Sequence, residues 1–149
     1  MAARRREVSG YREAVTRASA TERTALLATL ALLGALPVAS GTVGITRSTA
    51  GLPGGSASPS TVDSEYRFLN VFWAAAGGVV WWSLRRPEER ASATRLVLAL
   101  AATGGLPRLL SWVRTGPPHP VFRATLVLEL VVVPAVLWWH RRVLGSRRS

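Results

Sequence analysis

Two charged side chains interrupt otherwise apolar runs of this chain: Arg108 in one and Glu129 in the next. Both lie in the stretch GGLPRLLSWVRTGPPHPVFRATLVLE (residues 104–129), on either side of the short turn Thr115-Gly116-Pro117-Pro118-His119-Pro120. A planar guanidinium facing a carboxylate makes charge-assisted hydrogen bonds, so beside Arg108 the Glu129 carboxyl can stay ionised. A charge in the middle of a bilayer costs about 2.5–3.5 kcal/mol on insertion scales, so an intramembrane pair is a functional-site hypothesis by default. Three uses are open: a site for a ligand, an internal clamp between two helices, and a proton relay through Glu129. Ser111 lacks the His-Asp company a nucleophile needs. It reads as a helix-packing hydroxyl, and no catalytic residue is assigned. His119 and His140 are far apart in sequence, and the topology below puts them at opposite faces. The absence of Cys excludes disulfides, thiolate chemistry and Cys metal ligands. No metal site and no cofactor are implied.

The elements that must position these residues follow from composition. The chain has 149 residues, one domain's worth, and is 48% hydrophobic with a formal net charge of +11. That combination suits a chain whose charges lie outside long apolar segments. Spanning a bilayer takes about 20 mostly apolar residues, and four runs approach that length: residues 24–46, 66–84, 94–113 and 121–139. The fold class expected is all-α, a polytopic membrane protein built as a four-transmembrane-helix bundle. Residues 1–23 form a basic tail in which Val8, Tyr11, Val15 and Ala18 have helical spacing. Residues 47–64 form a Gly/Ser/Pro-rich loop, with Asp63 or Ser64 as an N-cap. Residues 85–90 are a charged turn, and residues 141–149 a second basic tail. A basic front, an apolar middle and Pro37-Val38-Ala39-Ser40-Gly41 also fit a cleavable signal peptide. The length of the uncharged stretch favours a retained helix. Pro37 and Pro134 are expected to kink or bend their helices, and Ser40 and Gly44 to permit close helix approach.

Orientation follows the distribution of positive charge. Fourteen of the 19 Arg lie in the two tails and around the 85–90 turn. The other five are Arg47, Arg67, Arg108, Arg114 and Arg123. Both termini are therefore expected in the cytoplasm, and the 47–64 loop and the His119 turn outside. Trp81-Trp82 and Trp138-Trp139 then mark the inner interface. Arg as the sole basic residue, with much Ala and Gly, points to a GC-rich bacterial genome and a plasma-membrane location. The Arg clusters flank the spans and carry no nucleic-acid motif, so nucleic acid is not an expected partner. Anionic lipid at the cytoplasmic segments is, and so is a homo-oligomer or membrane partner.

Helical spacing groups the polar residues. Arg67, Asn70, Ala74, Gly77 and Trp81 share a face, as do Val97, Ala101, Gly104, Arg108 and Ser111, and Phe122, Thr125, Glu129 and Val132. Gly104, one turn before Arg108, is expected to leave room for a second helix. At 1.5 Å per residue, Arg67 lies at the outer boundary, Arg108 roughly 7–8 Å inside it and Glu129 about 12 Å inside. The simplest arrangement makes the faces converge in the outer half. Glu65, Arg67, Asn70, Arg108, Ser111 and Glu129 then form one polar cluster, with Arg108 meeting Glu129 and Arg67 pairing with Glu65.

At these residues the sequence resembles a known family. Glu65-Tyr66-Arg67-Phe68, residues 104–111 (GGLPRLLS), residues 116–122 (GPPHPVF) and Glu129-Leu130-Val131 with Pro134 resemble domain of unknown function 4345, a bacterial family of small four-helix membrane proteins. The resemblance covers roughly residues 65–139. It implies an integral membrane protein with no established activity, and places Arg67, Arg108, Ser111, Gly116 and Glu129 at motif positions. Three functions remain open. The first is binding of a small amphipathic or anionic ligand, such as a lipid, in the polar cluster. The second is a structural or partner-binding subunit in which Arg108 and Glu129 clamp the bundle. The third is an intramembrane enzyme or proton-coupled carrier.

Overall fold

A computed structural model describes the backbone of residues 2–145 and the side chains of residues 20–145. The chain runs through helix α1 (Ala2–Arg47), a 3-10 turn (Ser48–Gly51), α2 (Ser60–Leu84), α3 (Ala91–Thr115) and α4 (Pro120–Val127). A π-helical turn (Leu128–Val132) then leads without a break into α5 (Val133–Gly145). There is no strand among the described residues. The helix expected within residues 1–23 is the first part of α1, and its side chains lie outside the described residues. Helix α2 begins four residues ahead of the expected Ser64 N-cap. Pro59 stands before it without a side-chain cap, and Asp63 lies inside the first turn.

Three helical stretches are long and apolar enough to cross a membrane: Ala20–Gly51, Ala91–Thr115 and Pro120–Gly145. At 1.5 Å per residue each exceeds the roughly 30 Å hydrocarbon core. Large apolar side chains such as Leu32, Leu96, Leu100, Val113, Val131 and Trp138 point outward and are more than half exposed. Patches of that kind are rare on soluble monomers and natural on a surface solvated by lipid.

The helices contact one another in a ring, α1 with α2, α2 with α3, α3 with α4 and α5, and α5 with α1. At the end carrying the 85–90 turn the ring is closed by a core of Leu26, Leu30, Val80, Leu98, Val136 and Leu144. Polar side chains are paired there too. Ser83 and Thr94 share a buried 2.6 Å hydrogen bond. Glu22 of α1 accepts from Trp139 Nε1 at 3.1 Å and from Arg142 Nη2 at 3.2 Å. Arg23 bridges to Glu88 at 2.8 Å. At the opposite, loop-bearing end α1 and α4 make no contact, so the ring is open between them.

The α1–α2 seam is the tightest in the fold, because glycines let the two backbones meet. A Cβ on Gly41 would lie 2.8 Å from the backbone nitrogen of Ala74, and one on Gly44 would overlap the Asn70 amide. One on Gly77 would overlap the Gly34 carbonyl oxygen and lie 2.9 Å from Pro37. The expected close approach at Gly44 is thus present, and Ser40 contributes by accepting from Trp73 Nε1 at 3.0 Å. Helix α1 runs through Pro37 without interruption. Gly78, the next residue after Gly77, faces open space. Gly77→Ala is therefore expected to lower stability by about 1–3 kcal/mol through overpacking. Gly78→Ala should be neutral or stabilising by up to about 1 kcal/mol through helix propensity. Paired unfolding curves in mild detergent read the contrast; equal effects at the two positions would refute a backbone-limited seam.

Candidate functional site

The α2 face grouped by sequence does act as a unit, and its partner is α1. Arg67 Nη1 donates to the carbonyl oxygens of Ile45 (2.5 Å) and Thr46 (3.3 Å), satisfying acceptors that the end of a helix leaves without partners. Asn70 is buried against Gly44 and donates to Tyr66 O at 2.7 Å. Ala74 and Gly77 face Gly41 and Gly34, and Trp81 Nε1 donates to Ala31 O at 2.9 Å. Arg67 pairs with Asp63, four residues back, at 2.8 Å. This replaces the expected Arg67–Glu65 pair; Glu65 is exposed. Spacing explains the outcome: residues four apart stack on one helix face, and residues two apart do not. Ser48 ends α1 in a left-handed conformation (φ 54°) and is buried near this pair.

Arg108 and Glu129 do meet. Arg108 Nε lies 3.1 Å from Glu129 Oε2; the Arg108 side chain is 45% exposed and that of Glu129 only 9%. The Arg108 guanidinium also faces the Phe122 ring, 6.0 Å from its centroid. The pair has an unusual feature: Oε2 is fully buried and accepts no hydrogen bond of ordinary geometry. Buried polar atoms are nearly always satisfied, so an exception calls for an explanation.

Local backbone structure puts Glu129 in this position. It sits in the π-helical turn, where Val133 N–H donates to Leu128 O, five residues back. Pro134 has no N–H to offer, which removes the regular α-helical donor for the Leu130 carbonyl. Widened turns of this kind recur at functional sites. The extra residue also shifts the helix face. Phe122, Thr125 and Glu129 keep the predicted face, but Val133 rather than Val132 continues it; Val133 is buried and Val132 exposed. On α3 the close contact is likewise one residue from its expected place. Gly104 has open space where a Cβ would be, whereas Gly105 is buried, its Cβ position 2.6 Å from Leu130 and 3.3 Å from Glu129 Cβ.

Arg108, Glu129 and Asn70 line a cavity of about 620 Å³ at the open end of the ring. Its walls are otherwise mostly apolar and come from α1, α2, α3 and α4, with Leu36, Val43, Leu69, Val97 and Val121 among them. Tyr66, Trp73 and Ser48 add polar groups near the loops. Of the six residues expected to cluster, Asn70, Arg108 and Glu129 reach this cavity; Glu65, Arg67 and Ser111 do not. Ser111 is exposed, its hydroxyl 3.4 Å from that of Thr115. Asp63, the true partner of Arg67, was visible in the sequence as an i,i+4 pair. His119 caps α4, its Nδ1 accepting from Val121 N at 3.4 Å. His140 is buried at the other end, accepting from Arg95 Nε at 3.3 Å. The two histidines therefore share no site.

An all-helical bundle with lipid-compatible surfaces and a charged pair against an apolar cavity defines a membrane protein. The chain belongs to the family described as domain of unknown function (DUF4345), whose profile matches residues 25–140. No curated protein and no solved structure matches it.

The Asp63–Arg67 pair, at the loop end of α2 before its apolar stretch, gives a pH prediction. The Arg67 hydrogen bond, with a smaller contribution from the Ser48 hydroxyl, holds the Asp63 carboxyl below its ordinary value. A carboxyl depressed in the folded state contributes stability above its unfolded pKa of about 3.9 and loses it as pH falls through the lower folded value. Between about pH 5 and pH 3, the melting temperature of the wild type should therefore fall further than that of Asp63→Asn. Parallel slopes would show that the pair is energetically silent.

Proposed function

We propose that this protein is a four-span membrane protein that binds a small amphipathic molecule in the cavity between α1 and α4. The observation that carries the reading is the Arg108–Glu129 pair, a buried carboxylate beside a half-exposed guanidinium on the wall of a mostly apolar cavity. A cavity of 620 Å³ falls within the range that holds small ligands, and apolar walls with a few convergent polar groups are the usual composition of such sites. Loop residues Gly51, Leu52 and Pro53 border the cavity, so in this reading a ligand enters from the leaflet on that side.

Helix α2 is the fourth span in this reading. Its first turns carry Asp63, Glu65, Arg67 and Asn70, which lower its apolar character, but Arg67 and Asn70 are packed on α1 and Asp63 pairs with Arg67. Its remaining surface presents Phe68, Val71, Phe72, Val79 and Trp82 outward, as a lipid-facing helix would. With the Arg distribution, this supports a reading with both termini in the cytoplasm of a bacterial cell and the loop end outside. The chain has no Cys, so single thiols report topology directly. Ser56→Cys should react with a membrane-impermeant maleimide in intact cells, and Glu89→Cys only after lysis. Equal labelling of the two would mean that α2 does not cross.

The competing reading makes Arg108–Glu129 an internal clamp, and the pair's existence favours it to that extent. The readings differ in energetics. A clamp loses about 3–5 kcal/mol when one partner is removed, because the other charge is stranded. A pair held for a ligand is kept at a cost to the fold. Given the poor hydrogen-bond geometry of the pair and the half-exposed Arg108, Glu129→Leu and Arg108→Leu are each expected to leave the ligand-free protein as stable as the wild type or more so. A double-mutant cycle in detergent or nanodiscs measures this. Strong loss in each single variant with recovery in the double would establish the clamp.

A further inference from the structure

The route into the cavity narrows what can occupy it, provided that the cavity is the ligand site proposed above. Leu52 and Pro53 of the α1–α2 loop line its outer end. That loop is braced from within: Thr49 Oγ1 donates to Ser56 O at 2.8 Å, and Gly55 N–H to Leu52 O at 2.9 Å. Its tip reaches the α3–α4 turn, where a Cβ on Gly54 would lie 3.4 Å from His119 Cδ2. The two loops meet over the cavity and roof it on the water side. Below this roof no contact joins α1 to α4, so the cavity opens sideways.

The edges of that opening are apolar. Leu36 and Val43 of α1 and Val121 of α4 line the cavity, yet they are 50%, 38% and 48% exposed. They face the cavity and the surroundings at once. Ser40 and Thr125 are the hydroxyl side chains beside the gap. Each spends its proton on its own helix, on Leu36 O at 2.7 Å and Phe122 O at 2.9 Å. Both helical stretches that flank the gap are long and apolar enough to cross a membrane. The gap therefore lies against lipid chains, where water is absent.

We infer that one acyl chain of a bilayer lipid enters the cavity sideways between α1 and α4, while its head group stays at the loop-bearing boundary. Arg108 and Glu129 cancel one another's charge on the wall formed by α3 and the π turn, so the site demands no charged head group. Selection is by route. An amphiphile dissolved in water meets the roof, whereas a chain already in the leaflet meets an apolar opening.

The test uses the full-length protein in phosphatidylcholine nanodiscs, with two photoreactive probes whose attachment points are mapped by peptide mass spectrometry. One is phosphatidylcholine with a diazirine at the end of one acyl chain; the other is a short, water-soluble diazirine carboxylate. The lipid probe should label Val97 and Ala101, which line the cavity on α3, as well as the outward-facing Leu100. The soluble probe should leave Val97 and Ala101 unlabelled. Ala39 lines the cavity and is exposed on α1. In Ala39→Trp, labelling of Val97 and Ala101 by the lipid should be lost while that of Leu100 persists; Val43→Trp serves if Ala39→Trp does not fold. Unchanged labelling in the Trp variant would overturn entry through the gap. Labelling of Val97 and Ala101 by the soluble probe, alone or equally with the lipid, would overturn selection by route and leave the ligand site standing. Labelling of those residues by neither probe would overturn both.

Discussion

The close approach of α1 and α2 sets the rest of the structure. Gly34, Gly41 and Gly44 on one helix and Gly77 on the other remove the side chains that would hold the backbones apart. Water-driven apolar collapse is not available between helices in lipid, so contact through small residues and interhelical hydrogen bonds does that work. The seam contains both. Arg67 caps the α1 carbonyls, and Trp73 and Trp81 donate across it. Having placed its polar face on α1, α2 has little left to offer the centre of the bundle. The remaining helices close the ring where their core residues meet, at the 85–90 end, and leave it open at the other.

That division assigns the charges different work. Arg67 lies near water, has a carboxylate four residues away, and spends its donors on a helix end. Arg108 and Glu129 are held across the α3–α4 contact with imperfect mutual satisfaction. The π turn brings Glu129 inward while denying it a full set of partners, and Gly105 lets its helix approach closely. A fold optimised for stability alone would replace such a pair with apolar residues of similar volume, often at no cost. Its retention beside an apolar cavity is what makes the site a candidate for recognition.

Much of this was legible in one dimension. Apolar runs bounded by Arg clusters pointed to the helices, since lipid requires backbone groups to be satisfied within each segment. The face through Arg67, Asn70, Ala74, Gly77 and Trp81 followed from helical spacing, as did the meeting of Arg108 with Glu129, where few other partners for either charge exist. Glu65, Arg67 and Ser111 do not join the cluster expected of them, and other differences are of one residue or one partner. Gly105 rather than Gly104 makes the close contact, Val133 rather than Val132 continues the Glu129 face, and Asp63 rather than Glu65 pairs with Arg67. A π turn inserts a residue into the period that face-counting assumes, and nothing in single-residue propensity announces it.

The sequence by itself determined that the chain is helical, the order of its apolar segments, and the presence of an acid and a base within them. These depend on local periodicity and on the cost of placing polar groups in hydrocarbon. Only the tertiary structure decided which face meets which. It gave Arg67 and Asn70 to α1, left Ser111 exposed, and gathered Asn70, Arg108 and Glu129 around one cavity. The reason is steric: where two helices cross is fixed by how closely their backbones can approach, and that depends on pairs of small residues distant in sequence.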